Sequence, residues 1–168
     1  MNKRMTTYIL GKMLGVEAAV LLIPMLVSVI YGEDGWKAFL ITSAILFFFY
    51  LLFGRKKPKD STIYGKDGFV IIASAWILWS IFGALPFYLS GSIKSYVDAL
   101  FETISGFTTT GASILSDVEV LNHSSLFWRS FTHWIGGMGV FVFIMAILPL
   151  MGGSTINLMK AESTGPSV

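Results

Sequence analysis

From Phe69 to Ser90 the chain runs for 22 residues, FVIIASAWILWSIFGALPFYLS, without one charged side chain. About 20 such residues wound as a helix cross a hydrocarbon core of about 30 Å. Lipid offers backbone N–H and C=O groups no hydrogen-bond partner, so a run of this kind has to satisfy them internally, as helix. Three further stretches have the same character. Tyr8 to Tyr31 is interrupted by Lys12, Glu17 and Pro24; Ala38 to Gly54 follows Trp36; Ser130 to Met151 comes last. The first is too long for a secretory signal, and no small-residue cleavage pattern follows it. With 54% hydrophobic and 13% charged residues, against about 25% charged in soluble domains, the chain reads as an all-α integral membrane protein with four spans.

Basic residues set the orientation, because Lys and Arg are retained on the cytoplasmic side. Lys3, Arg4, Lys12, Arg55, Lys56, Lys57, Lys59, Lys66 and Lys160 fall on one side, and Lys37, Lys94 and Arg129 on the other. This bias predicts both termini in the cytoplasm. The segment GRKKPKD, Gly54 to Asp60, is the clearest boundary. It divides an N-terminal transmembrane hairpin (1–53) and a basic linker (54–68) from a second unit (69–151), with a cytoplasmic tail (152–168) after it. No basic block lies on a soluble face, which argues against nucleic acid as a partner.

The 40 or so residues between the third and fourth spans carry their own signals. Ser95, with Asp98 three positions on, fits an N-terminal capping box. Val97, Leu100, Phe101 and Ile104 then recur with helical spacing, and Gly106 stands where a left-handed cap would end the helix. The implied helix, about 95–105, is roughly 16 Å long, half a membrane. Its C-terminal carbonyls carry a partial negative charge of roughly half a unit, which favours a cation. Directly beyond come Thr108, Thr109, Thr110 and Gly111. Threonine hydroxyls and successive carbonyls are uncharged oxygens able to replace an ion's water shell. The competing reading is a re-entrant surface turn whose threonines satisfy their own backbone.

Together these residues resemble a known family. DALFETISGFTTTGASIL (Asp98–Leu115) resembles the first pore loop of the Trk/Ktr/HKT potassium transporter superfamily, in particular its bacterial TrkH-like branch. The similarity extends to Asp67–Ser90, to WRSFTHWIGGMGVFVFIMAILPLMGG (Trp128–Gly153) and to KAESTGP (Lys160–Pro166), and the first two spans look like that branch's N-terminal hairpin. The resemblance implies potassium uptake through a pore of four helix–pore loop–helix repeats in a bacterial inner membrane. Thr108, Thr109, Thr110 and Gly111 match the selectivity-filter strand, with potassium, the transported ion, at Thr109, Thr110 and Gly111. It also implies a cytosolic nucleotide-binding ring protein as regulator. The family carries four repeats in one polypeptide, whereas this sequence holds one. Either four copies form a homotetramer, which the complete helix–loop–helix favours, or further repeats come from additional chain. The alternative function is that of a fragment, or of a non-conducting regulatory or scaffold subunit of a larger potassium transporter.

Other polar residues have two readings each. Glu102 lies opposite the apolar stripe and either adds negative potential behind the filter or holds the loop through backbone N–H groups, the latter preferred. Arg129 supports the loop through its carbonyls or snorkels to the interface. Asp117 and Glu119 either concentrate cations at the mouth or are solvated. His123 and His133 lack the acidic spacing of a zinc site, and His133 is expected to be buried and hydrogen-bonded. Gly136, Gly137 and Gly139 allow close helix packing or a hinge, packing being preferred. Glu17 needs a partner that the sequence does not name. Nothing has the spacing of a catalytic nucleophile and base, so an enzyme is not expected.

Overall fold

The computed structural model describes residues 2–59 and 65–147. All regular structure within them is helical. The first span forms as α1 (Lys3–Val20) and α2 (Leu22–Ile30), stacked nearly end to end. Pro24 explains the joint: it has no N–H to give the Val20 carbonyl one turn back, so the regular ladder breaks there. The second span is α3 (Trp36–Phe49), which widens into a π turn at Tyr50–Gly54. The third is α4 (Gly65–Leu89). Lys3–Ile30, Trp36–Gly54 and Asp67–Leu89 are each long and apolar enough to cross a membrane. After α4 come the short α5 (Tyr96–Phe107) and α6 (His123–Ile147), the latter 25 residues and about 37 Å in length. Thus α6 starts seven residues before the expected fourth span, while 148–151 and the tail 152–168 lie outside the described residues.

Hairpin and second unit pack together. Trp79 on α4 donates its indole N–H to the Met13 carbonyl of α1 at 3.2 Å, and Phe49 meets Phe82 at 5.6 Å between centroids. At the opposite end Glu33, in the α2–α3 turn, caps α6. Its carboxylate accepts from the backbone N–H groups of His123 and Ser124 at 2.6 and 3.1 Å. The His123 ring lies 2.9 Å from Glu33 and stacks on Tyr31 at 4.0 Å. Burial pushes the Glu33 carboxyl up, but hydrogen bonds from Ser124 and His123 outweigh it and hold the group below the usual carboxylate range. Glu17 is fully buried within the hairpin, and among the described residues neither of its oxygens has a hydrogen-bond partner.

The short helix α5 sits between α4 and α6. Ala99, Thr103 and Phe107 face inward, and Phe107 meets Trp76, Trp79 and Trp128 at 5.6 to 6.4 Å. Trp128 also donates to the Gly83 carbonyl at 2.8 Å, fixing α6 to α4 beside it. The glycines of α6 serve this packing. A side chain at Gly136 would enter the Phe107 carbonyl, and one at Gly139 would lie 3.0 Å from Trp76. Of the apolar stripe, Val97, Phe101 and Ile104 form the exposed outer face of α5, while Leu100 is half-buried against the core.

Candidate functional site

The Ser95 hydroxyl accepts from the Asp98 N–H at the start of α5, as the capping signature predicts, though with a long bond of 3.4 Å. The other end differs from the sequence expectation. Gly106 is not the left-handed cap but lies inside the helix, where the Thr132 hydroxyl packs against the space a side chain would fill. The helix continues to Phe107. The Thr109 N–H then donates to the Gly106 carbonyl at 2.9 Å and the Thr110 N–H to the Ser105 carbonyl at 3.0 Å. These two bonds form a Schellman motif whose left-handed position is Thr109, at φ 54°. A β-branched residue rarely occupies that region, and holding one there costs about 1–2 kcal/mol. Gly111, at φ 76°, turns the chain again.

Thr108, Thr109, Thr110 and Gly111 are all exposed. The Thr108 and Thr110 hydroxyl oxygens lie 2.7 Å apart, and Thr108 also donates to the Ile104 carbonyl at 2.8 Å. Among the described residues, no hydrogen bond is donated to the carbonyls of Thr108, Thr109, Thr110 or Gly111. The strand therefore presents a run of unused carbonyl oxygens, with hydroxyls beside them.

Its other side is tied down. The Ser105 hydroxyl donates to the Ala112 carbonyl at 2.6 Å. Glu102, 1% exposed, accepts from the Ser113 hydroxyl at 2.9 and 3.1 Å and from the Ile114 N–H at 3.1 Å. Arg129 Nε donates to the same carboxylate at 2.6 Å. This places Arg129 against Glu102 rather than against loop carbonyls. It also balances the Glu102 charge, so the carboxylate acts here as a bracket between helix, strand and α6. Ser105 and Ser113, which bracket the Thr–Gly run, were not singled out from sequence. The available signal was their position: one hydroxyl at each end of the run.

Of the remaining candidates, the two loop acids lie apart from this cluster. Asp117 and Glu119 are exposed further along the loop, with Asp117 accepting from the Glu119 N–H at 2.9 Å. His133 is half-buried, and its Nδ1 lies 3.0 Å from the Arg129 carbonyl. Since a carbonyl only accepts, that nitrogen carries the proton.

The strain at Thr109 has a measurable consequence. Thr109→Gly should raise stability by about 1 kcal/mol, because glycine enters the left-handed region freely. Thr109→Ala, which keeps a Cβ, should gain much less. Equal melting temperatures for the two variants in detergent would contradict this account of the turn.

The sequence model of the TrkH family, described as cation transport protein, matches residues 36–168. The chain belongs to the TrkH family. The Trk system potassium uptake protein TrkG of Escherichia coli K12 is 36% identical over 168 residues, covering 97% of this chain and 34% of that protein. A cation transporter of Methanocaldococcus jannaschii is 39% identical over 157 residues, covering 93% of this chain and 33% of its own length. The crystal structure of the potassium transporter TrkH from Vibrio parahaemolyticus superposes with a TM-score of 0.81 at 31% identity. That match covers 96% of this chain and 36% of the other. The chain thus spans about a third of the length of the relatives it matches. The family and the helical membrane architecture agree with the sequence reading.

Proposed function

We propose that this chain supplies one selectivity-filter loop of a four-loop potassium pathway in a bacterial inner membrane, with both termini in the cytoplasm. The observation that carries the reading is the exposed Thr108–Gly111 strand. Among the described residues nothing donates to its carbonyls, and it stands at the end of a half-length helix braced from behind by Glu102 and Ser105. Potassium binds at Thr109, Thr110 and Gly111, where carbonyl and hydroxyl oxygens replace its water, and moves down its electrochemical gradient. One loop cannot surround an ion. The exposed stripe of Val97, Phe101 and Ile104 on α5 gives adjoining repeats an apolar surface to pack on. Those repeats come from three more copies in a homotetramer or from further repeats of a longer chain. The cytoplasmic face receives a nucleotide-binding ring protein as regulator.

Two measurements test this. Native mass in detergent counts the chains per particle. Potassium flux into liposomes containing that particle should then fall at least about tenfold with Gly111→Ser, since a side chain at φ 76° displaces the strand. A four-chain particle that passes no potassium, or one whose flux ignores Gly111→Ser, overturns the conducting role.

A further inference from the structure

The end of the bundle remote from the Thr–Gly loop holds a second feature that the pore reading does not use. A cavity of about 800 Å³ opens there between the start of α1 and the segment after α3, and Lys3, Arg4, Lys56, Lys57 and Lys59 line it. The fold creates it through a glycine contact. A Cβ at Gly11 would lie 2.5 Å from the Gly54 nitrogen, so α1 and the π turn cross with their backbones touching. From that crossing the chain Arg55–Lys59 runs back beside the first turn of α1, bringing basic residues from two distant stretches into one wall.

Among the described residues those five cations have no opposing partner. The ion pairs among the described residues are Lys37–Asp34, His123–Glu33 and Arg129–Glu102, and none involves this group. The nearby acid, Asp67, is buried and accepts at 3.1 Å from the N–H of Asn2, which itself lines the cavity. Helix α1 also begins here. The Asn2 side chain accepts from the Met5 N–H, while among the described residues the Lys3 and Arg4 N–H groups have no acceptor. A helix N-terminus of this length adds its own positive potential to the five side chains.

The rest of the wall is apolar. Leu52 and Phe53, 61% and 41% exposed, line the same cavity where the second span ends. A small soluble anion has no use for that surface, whereas a molecule with a phosphate head and acyl chains does. We propose that this cavity is a binding site for an anionic phospholipid. Its phosphate sits among Lys3, Arg4, Lys56 and Lys57 at the α1 N-terminus, and its glycerol and upper acyl carbons lie on Leu52 and Phe53. Basic residues immediately beside membrane helices favour such headgroups over zwitterionic ones. The lipid would tie the open end of the hairpin to the linker leading into α4.

Native mass spectrometry of the purified full chain, given equal amounts of phosphatidylglycerol and phosphatidylcholine, tests the site. Phosphatidylglycerol adducts should exceed phosphatidylcholine adducts at least about threefold. Lys56→Gln/Lys57→Gln should abolish that preference, and Lys37→Gln/Lys94→Gln, at the opposite membrane face, should leave it intact. Inorganic phosphate at millimolar concentration should not compete. Equal adducts of the two lipids, a preference insensitive to Lys56→Gln/Lys57→Gln, or loss of preference in the Lys37/Lys94 control each overturn the proposal. Competition by inorganic phosphate assigns the cavity to soluble phosphates and overturns the lipid assignment.

Discussion

Glu102→Ala should destabilise the chain by about 3 kcal/mol, with the loop 108–115 loosening first. The carboxylate is 1% exposed and receives an Arg129 N–H, a Ser113 hydroxyl and the Ile114 N–H. Its removal strands the guanidinium and frees the return strand at once. Breaking one side of a buried pair costs about 3–5 kcal/mol, because the surviving charge is left without compensation. The lower end applies here because 17% of the Arg129 side chain reaches solvent. Glu102→Gln keeps an acceptor for Ile114 and should lose about half as much. Glu102→Leu/Arg129→Leu should cost less than the sum of its single substitutions, since neither residue then leaves the other behind. Thermal unfolding in detergent ranks the variants, and protease cleavage between Thr108 and Leu115 reports the loop. If alanine and glutamine prove equal, the bracket is not what holds this strand.

Why the sequence disclosed some of this and not the rest is clearest at particular residues. The three spans Lys3–Ile30, Trp36–Gly54 and Asp67–Leu89 were legible because lipid leaves the backbone no alternative to helix, and uncharged runs such as Phe69–Ser90 follow directly from that constraint. Ser95 was legible as a cap because capping is local, the hydroxyl reaching a backbone N–H three residues away. Gly106 misled because glycine has two uses. It permits positive φ, and it permits close approach. Here the Thr132 hydroxyl occupies the space beside it, so the glycine belongs to packing between α5 and α6. The left-handed residue is Thr109, a β-branched type that is an outlier in that region, and no rule read along the chain would choose it.

The ends of the elements depend on distant partners too. The helix of the expected fourth span, α6, starts early, at His123, although HSSLFWRS looks too polar for a span. Its first N–H groups are satisfied by Glu33, some 90 residues upstream. The pairing of Glu102 with Arg129 likewise joins residues 27 apart on different helices. Hydropathy and capping are properties of a stretch, and partners across the bundle are properties of the fold. What bore on the candidate site was therefore split. The Thr–Gly run was visible as chemistry, while the bracket that shapes it became visible only with α5, the strand and α6 in place.

Two adjacent glycines in α6 make the sharpest contrast between packing and freedom. At Gly136 an added Cβ would lie 2.8 Å from the Phe107 carbonyl carbon and 3.0 Å from the Gly106 carbonyl oxygen, both backbone atoms that cannot swing aside. At Gly137 the nearest atom is the Thr109 methyl, at 4.0 Å. Gly137→Ala should therefore be tolerated and should even gain up to about 1 kcal/mol from the better helix former. Gly136→Ala should cost about 1–3 kcal/mol, and Gly136→Leu more, because α6 has to move off the end of α5. That end carries the Schellman turn at Thr109, so the displacement passes directly into the Thr108–Gly111 strand. Helix content by circular dichroism should persist in Gly136→Leu, as leucine is a better helix former than glycine and α1 to α5 carry no substitution. Potassium flux from the assembled particle should fall to background in Gly136→Leu and stay within about twofold of the parent in Gly137→Ala, since the former displaces backbone and the latter meets only ordinary contact. Matching losses in both variants would mean that backbone contact between α6 and α5 does not set the strand's position.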